Sequence, residues 1–503
     1  MSEYNAAVDL IERNLAAGRG GKVAFVDDSG TMTYAQLAER VDRFVNVLHS
    51  LNIRREERIA IAVLDTCDWP ALFLGAIKAG VVPVALNTLL TPADYEYQLR
   101  DSRAQALFVS EAIARSFEGM QKKCPALAHI VTTGLQLNDL LFKASPKAKA
   151  APTARDDMCF WLYSSGSTGA PKGTVHLHSH LVATAELYAK PVLGIRQSDV
   201  AFSAAKLFFA YGLGNALTFP MSVGATAILM AERPTPDAVF RRLTERKPTL
   251  FYGVPTLYAA LLASPAFPKK ADLNLRICTS AGEALPKNLG ERWTERTGTE
   301  ILDGIGSTEM LHIFISNQPG EVRYGTTGRP VPGYSVRLVD DQGNVITKPG
   351  ELGELQISGP TSAIMYWSQR EKTKNTFQGP WTRSGDKYSF DADGYFTYGG
   401  RSDDMLKVSG IYVSPVEVEA ALVAHESVLE AAVVGAEDEN KLVKPKAFVV
   451  LKPGQTASDS LTKALQEHVK SKLAPHKYPR WIEFRSDLPK TATGKIQRFK
   501  LRA

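Results

Sequence analysis

Cysteine is scarce, with four residues, Cys67, Cys124, Cys159 and Cys278, in a chain of 503. No two of them stand at metal-ligand or redox spacing, which excludes a zinc frame, a CxxC redox centre and a disulfide-built scaffold. Long apolar runs are missing as well. The most apolar stretch, residues 69–86, is interrupted by Lys78, Gly80 and Pro83, and reads as a buried helix followed by a strand rather than a membrane span. Met1-Ser2-Glu3-Tyr4 contains no basic segment leading into an apolar one, so no signal peptide is expected and the cytoplasm is the expected compartment. Neither sign of charge dominates: Lys and Arg number 59, Asp and Glu 53, a formal excess of +6 spread along the chain. That spread argues against a nucleic-acid or membrane surface, while a mild positive balance suits polyanionic small molecules.

A chain of 503 residues, 44% hydrophobic and 22% charged, is too long for one core and predicts two or more domains. Over the first 140 residues an amphipathic helical pattern (34–51) alternates with short apolar strands (58–64 and 80–86), as layered α/β structure requires. Residues 143–157, KASPKAKAAPTARDD, lack an apolar period and read as an exposed connector. Alternation then resumes, with strands at 158–163, 249–252 and 276–280 and a helix at 236–246. From about Gly325 frequent Gly and Pro and short alternating strands (335–339, 354–358) predict a small β-rich section. The last hundred residues read as another unit, with helices at 415–424 and 461–473 and strands at 428–434 and 446–451. The polar segment 401–404 separates blocks that each have an apolar core. The expected architecture is therefore α/β. A large N-terminal domain (1–402) has layered α/β subdomains and a β-rich section, and a small α+β domain (403–503) follows.

The run Tyr163-Ser164-Ser165-Gly166-Ser167-Thr168-Gly169-Ala170-Pro171-Lys172-Gly173 has the chemistry of an anion cradle. Small residues let the backbone approach a phosphate closely, N–H groups and hydroxyls donate to its oxygens, and Lys172 adds a point charge. It is not a Walker A loop, because Pro171 precedes the lysine and no Gly-Lys-Ser/Thr follows the spacer.

This run resembles the signature loop of the adenylate-forming enzymes: acyl- and aryl-CoA synthetases, adenylation domains of peptide synthetases, and beetle luciferases. Further motifs follow in that family's order across more than 300 residues. They are Ser280-Ala281-Gly282-Glu283, Asp303-Gly304-Ile305-Gly306-Ser307-Thr308-Glu309, Ser384-Gly385-Asp386, Gly400-Arg401-Ser402-Asp403-Asp404 and Pro489-Lys490-Thr491-Ala492-Thr493-Gly494-Lys495. The resemblance implies attack of a carboxylate on the α-phosphate of ATP, then transfer of the acyl group to coenzyme A. Charge develops on phosphoryl oxygens, so positioned cations and donors should supply most of the catalysis.

By the same resemblance Glu309 holds Mg²⁺, with Thr168 nearby, a hard cation suiting oxygen ligands. Ser307 is equally a candidate helix cap. Ser164, Ser165, Gly166, Ser167, Thr168, Gly169 and Lys172 would cradle phosphates. Gly282, Glu283, Ala284 and Asp303, Gly304, Ile305, Gly306, Ser307 and Thr308 would frame the adenine and α-phosphate. Asp386, in a Ser-Gly-Asp turn, would accept from the ribose hydroxyls, with Arg401 on ribose or phosphate and Tyr398 against the nucleoside. Lys495 would be the catalytic ammonium, Asp403 the hinge of a rotating C-terminal domain. Residues 407–412 with Gly410, together with Lys477 and Arg480, would meet coenzyme A.

Segments 204–214 and 306–314 look most like those of the benzoate–CoA and 4-hydroxybenzoate–CoA ligases. In that reading Phe209, Ala210, Tyr211, Ile305 and His312 wall an aromatic acid, with His312 near the carboxylate or the ring edge. Phe209 stands where many relatives have histidine, which puts a polar gate in doubt. Another small acid, a carrier-protein pantetheine as acceptor, or a non-catalytic nucleotide sensor are the competing readings. Acetylation of Lys495 by a lysine acetyltransferase, reversed by a deacetylase, would remove its charge, and a homodimer is admitted. Replacing Lys495 with Ala should abolish acid-dependent exchange of pyrophosphate into ATP while thioester formation from preformed acyl adenylate survives. Equal loss of both steps in a folded protein would contradict this division.

Overall fold

The computed structural model describes every residue except 1, 2, 165–170, 403, 409, 410, 440, 441, 491–495 and 503. Local chemistry sets the helices. In Tyr34–Ser50 the Thr33 side chain accepts the Gln36 N–H while the Gln36 side chain accepts the Thr33 N–H, so two orphan donors are satisfied reciprocally. Leu37, Val41, Phe44, Val45 and Leu48 then fall on one buried stripe. Helix Asp68–Lys78 is apolar all round and buried from Trp69 to Ile77, as expected of a helix covered on every side. Strand Val82–Ala85 follows it, so the apolar stretch is a core helix and strand. No described helix is long and apolar enough to cross a membrane.

The chain divides into two compact units, Met1–Leu285 with Leu289–Ser335 and Ile357–Thr382, and Pro286–Asn288 with Val336–Gln356 and Arg383–Ala503. Among the described residues of the first unit, one sheet has the order Met365–Tyr366, Lys172–Leu177, Met158–Ser164, Val82–Ala85, Arg58–Ala62, Ala106–Val109, His129–Thr132. Its last five strands are mutually parallel, and Lys172–Leu177 runs antiparallel to both its neighbours. A second sheet runs Arg329–Pro330, Ile313–Ser316, Ile301–Gly306, Ile277–Ser280, Leu250–Gly253, Val200–Ser203, Thr226–Ile228, Val23–Asp27, Gly30–Thr33, parallel from Ile301–Gly306 through Val23–Asp27. The inner strands Val82–Ala85, Ala106–Val109, Leu250–Gly253 and Ile277–Ser280 are buried at every position, which is why they read as short unbroken runs without alternation.

The β-rich section of the second unit contains strands Ser335–Val339, Val345–Ile346, Gly353–Ser358, Trp381–Phe390 and Phe396–Arg401. Beyond it come the hairpin Leu406–Val408/Ile411–Val413, helices Pro415–Val423 and Asp459–Lys472, and a sheet of Val428–Glu437, Val443–Leu451 and Trp481–Phe484. Val418, Leu422, Val433, Val449, Leu465 and Val469 make their common core.

Three local expectations change. The 143–157 connector is mostly exposed but pinned at Thr153, whose Oγ1 donates to the Tyr4 carbonyl at 2.7 Å and accepts from Asn5 Nδ2 at 3.1 Å. No helix follows Ser307. Its Oγ accepts the Met310 N–H at 3.2 Å, Leu311 turns the chain at φ +65°, and Ile313–Ser316 returns antiparallel to Ile301–Gly306. Asp386 lies within strand Trp381–Phe390 rather than in a free turn, Gly385 kinking that strand at φ +72°.

Gly75 lets helix Asp68–Lys78 sit against the ring of Phe44: an added Cβ would lie 2.7 Å from Phe44 Cδ1 and 3.2 Å from the Val41 carbonyl oxygen. Phe44 is itself edge-packed on Phe108 at 4.8 Å and cannot yield. Gly75→Ala gains about 1 kcal/mol of helix propensity, against an overpacking cost of about 1–3 kcal/mol. A lower thermal midpoint at fixed scan rate is therefore expected. A raised midpoint would show that the ring gives way.

Candidate active site

In open parallel sheets ligands bind beyond the carboxyl ends of the strands. In the first unit Ser164, Ser203, Ser280 and Gly306 all stand at such ends. Ser165, Gly166, Ser167, Thr168 and Gly169 lie outside the described residues, but both stems of their loop are in place. Ser164 pairs in register with Lys172 across antiparallel strands, so the loop joins a hairpin. The Ser164 hydroxyl is buried without a hydrogen-bond partner, as befits a donor kept for a ligand.

Lys172 Nζ lies 4.0 Å from Glu309 Oε1 and 4.2 Å from the centroid of the Tyr366 ring. The Tyr366 hydroxyl donates to the same Glu309 oxygen at 2.7 Å. Ala363 N–H holds the Glu309 carbonyl at 2.7 Å. Glu309 Oε2 has no hydrogen bond among the described residues. A carboxylate with one oxygen fixed and one open fits a hard divalent cation shared with phosphate. The preceding carbonyl, that of Thr308, accepts from His176 Nε2 at 2.8 Å. His176 Nδ1 stands 3.1 Å from His180 Nδ1, which accepts the Leu177 N–H at 3.4 Å. Burial pushes His176 down to about 4 and leaves it neutral.

Beyond strand Ile277–Ser280 Gly282 takes φ +92°, and Glu283 and Ala284 continue in irregular backbone. Asp303 pairs in register with Ser280. Burial holds the Asp303 carboxyl well above the usual range, and Asp303 Oδ1 and Ser280 Oγ are both without partners. Gly304 lies at the buried end of the same strand, where Ile305 and Gly306 become half-exposed.

The segment from Lys206 to Leu213 is built on one buried carboxylate. Both oxygens of Asp65 face the Leu207 N–H, at 3.2 and 3.3 Å. Lys206, whose ammonium caps the carbonyls of Met230 and Glu232, is the countercharge beside it. Burial raises Asp65 to about 6 and lowers Lys206. From this anchored turn Phe209, packed edge-on to Phe208 at 4.5 Å, leads into the short helix Ala210–Leu213. Gly212 is needed there, since a Cβ would meet the Lys206 carbonyl oxygen at 2.0 Å. The Tyr211 hydroxyl bonds Thr279 Oγ1 at 2.5 Å. His312 is 2% exposed, its Nε2–H facing the Tyr211 carbonyl at 3.3 Å and Asn215 Oδ1 at 3.2 Å, while Nδ1 has no partner. Burial pushes it down to about 3. A neutral imidazole with its donor already engaged cannot act as a cation toward a carboxylate; what it has to offer is an acceptor.

In the second unit Asp386 and Arg401 pair in register, with Arg401 Nη1 3.3 Å from Asp386 Oδ1 and 3.2 Å from the Ser384 carbonyl oxygen. Tyr398 packs on Tyr388 at 5.4 Å, and burial raises its hydroxyl far above the usual range. Lys477 is held by both oxygens of Glu417, at 2.7 and 2.8 Å. Arg480 stacks on Tyr478 at 3.7 Å and keeps Nη1 without a partner. Asp403, Gly410 and Lys495 lie outside the described residues.

Sequence reasoning missed Tyr366, Asp65, Thr279 and Asn215. An acidic residue directly beyond an apolar strand was the available signal for Asp65. Tyr366 sits in a two-residue edge strand with no local mark.

A serine- and glycine-rich run between paired Ser164 and Lys172, a lysine–glutamate pair beyond parallel strands and a carboxylate–arginine pair in the second unit are the equipment of an enzyme that activates its substrate with a nucleotide. Residues 12–367 match the AMP-binding enzyme family and residues 417–495 its C-terminal domain, so the chain belongs to that family. It is 64% identical over 505 residues to a benzoate–CoA ligase of Thauera aromatica, covering 99% of this chain and 96% of that protein. It is 50% identical over 510 residues to a 4-hydroxybenzoate–CoA/benzoate–CoA ligase of Rhodopseudomonas palustris, covering 100% and 94%. The crystal structure of a benzoate CoA ligase from Burkholderia xenovorans LB400 superposes with a TM-score of 0.93 at 57% identity, covering 99% of this chain and all of that one.

Removing the Asp65 carboxylate strands the Leu207 N–H and the Lys206 charge, so Asp65→Ala should raise KM for the acid about tenfold. KM for ATP should stay within about twofold, and Asp65→Asn, which keeps an acceptor, should recover part of the loss. Steady-state kinetics with each substrate varied separately will check this; equal rises in both KM values would refute it.

Proposed function

We propose that the chain is an ATP-dependent, AMP-forming ligase. It converts an aromatic carboxylic acid, benzoate or 4-hydroxybenzoate, to its coenzyme A thioester through an acyl adenylate, releasing pyrophosphate and then AMP. The carboxylate attacks the α-phosphate while donors and cations stabilise charge on the phosphoryl oxygens. Lys172 and the Ser164 hydroxyl serve the phosphates. Mg²⁺ held by Glu309 would neutralise charge on the departing pyrophosphate. Asp303 and Ser280, with unpartnered oxygens, suit the nucleotide, and the Asp386–Arg401 pair suits the ribose.

The observation that carries the aromatic assignment is the ring-lined wall around His312. Tyr188, Tyr211 and Phe219 stand 5.4, 5.7 and 4.5 Å from its imidazole. Such packed rings, where they wall a substrate, favour a flat one over a long acyl chain. The Nδ1 of His312, without a partner, suits a ring edge or ring hydroxyl as acceptor, and in this reading the acid's carboxylate turns toward the phosphates.

We assign Lys495 to adenylation and, for the second step, Asp403 to the hinge at a functional boundary of 402/403 and Gly410 and Arg480 to coenzyme A. Lys477 is already paired with Glu417, which weakens its claim. Acetylation of Lys495 would switch off the first step by deleting its charge.

A panel of aromatic and aliphatic acids assayed for coenzyme A-dependent AMP release will test the reading. Benzoate or 4-hydroxybenzoate should give the highest kcat/KM, and a higher value for octanoate would overturn the aromatic assignment. Acid-dependent pyrophosphate exchange without coenzyme A-dependent turnover would point to a carrier-protein acceptor.

A further inference from the structure

His312 rests on a seat made by one short helical stretch. Helix Ala210–Leu213 runs on into the π-helical turn Gly214–Thr218, a rare conformation that concentrates at functional sites. Three features of this stretch meet the same edge of the imidazole. The Tyr211 carbonyl oxygen lies 3.3 Å from Nε2. Gly214 lets the ring come up to the backbone, since an added Cβ would stand 2.4 Å from His312 Cδ2 and 2.6 Å from Nε2. Asn215 Oδ1 lies 3.2 Å from Nε2. Phe219, which follows the stretch, packs edge-on to the ring at 4.5 Å.

These neighbours decide where the imidazole proton sits. A carbonyl oxygen can only accept, so the Tyr211 carbonyl requires Nε2–H, and the Asn215 amide then turns its oxygen to the same hydrogen. Two buried atoms are left without partners as a result, Asn215 Nδ2 and His312 Nδ1. Asn215 is fully buried, and among the described residues its side chain bonds His312 alone. A buried amide donor left unmade costs about 1–3 kcal/mol, and a leucine would fill nearly the same space without that cost. Such an unsatisfied group inside a wall of aromatic rings points to a use for the other imidazole nitrogen.

We propose that Asn215 is a positioning residue that acts through His312: it holds the imidazole with Nδ1 as an acceptor toward the aromatic acid, and so sets how well a ring hydroxyl is accepted. This rests on the reading that His312 walls the acid. An unsubstituted ring is taken by packing alone, against Tyr188, Tyr211 and Phe219 around the imidazole. A hydroxylated ring can add one hydrogen bond to Nδ1, whereas a substituent that only accepts meets a lone pair. Asn215→Leu keeps the bulk of the side chain and removes the oxygen.

The test measures kcat/KM for benzoate and the three monohydroxybenzoates at saturating ATP and coenzyme A. For the isomer that the parent uses best, the ratio to benzoate should fall about fivefold in Asn215→Leu, with benzoate itself within about twofold of the parent. Nuclear magnetic resonance of protein carrying isotopically labelled histidine reads the tautomer, the His312 signals being those absent from His312→Leu. Nε2 should be protonated in the parent and both tautomers populated in Asn215→Leu; any other pattern would overturn the proposal. His312→Leu is also the kinetic reference. If it keeps the parent's ratio, the reading that His312 meets the ring is lost and the proposal with it. If its ratio collapses while that of Asn215→Leu does not, the Tyr211 carbonyl suffices and the role of Asn215 alone is overturned. An Asn215→Leu protein that loses benzoate and hydroxybenzoates alike would mark a merely structural asparagine. A parent that turns over none of the isomers would equally overturn the proposal.

Discussion

Parallel strands cannot be joined by a tight turn, and the rest of this structure depends on that constraint. Each crossover helix returns the chain to the starting edge, so the loops leaving the strands gather at one end. Ser164, Asp65, Ser203, Ser280 and Gly306 belong to different stretches of the sequence, yet each stands at or just beyond a strand's carboxyl end. Asp65 follows a strand of one sheet and Leu207 a strand of the other, so their hydrogen bonds tie the two sets of loops together. A buried carboxylate is costly without partners; here its cost is offset where it fixes the turn that presents Phe209, Ala210 and Tyr211.

The histidines show how burial selects chemistry. His176, His178, His180 and His312 are all pushed well below the ordinary imidazole value, burial being the largest cause in each. None is a proton shuttle near neutral pH. They act instead as directional neutral donors and acceptors: His178 Nδ1 receives the Ala6 N–H at 3.1 Å, and His176 Nε2 holds the Thr308 carbonyl. Beside the carboxyl end of strand Met158–Ser164 the charged pair is instead Lys172 and Glu309, neither of which needs a proton to move.

Much of this was legible in the sequence. The helical stripe from Tyr34 and the unbroken strand runs are local properties, and the predicted elements differ from the observed ones mainly in end residues. The family motifs were legible because phosphate and nucleotide chemistry demands particular residues at short spacing. Tyr366 was not, since its meaning comes from pairing with a strand nearly two hundred positions earlier. Nor was the state of His312: a histidine beside aromatic residues gives no sign of which nitrogen is engaged, and only the Tyr211 carbonyl and Asn215 decide it. Thr153 shows the converse. A connector of Lys, Ala and Pro looks unattached, yet one hydroxyl in it meets Tyr4 and Asn5.

The second unit has its own logic. The segment containing Lys495 is described only at its stems, and those are tied firmly. Lys490 bridges Ile496, and Gln497 N–H donates to the Pro489 carbonyl at 2.8 Å. Arg498 makes a two-pronged pair with Glu419 at 2.9 and 2.6 Å, and its Nη1 lies 3.6 Å from Asp404. Glu419 also takes the Val433 N–H at 2.7 Å, so the pair is locked into the core sheet. Such a two-pronged pair between half-buried groups resists rotation better than a single contact. Asp404 directly follows the proposed hinge at Asp403. A backbone change at that proposed hinge would therefore turn the stems of the lysine segment together with the core beneath them, as one body.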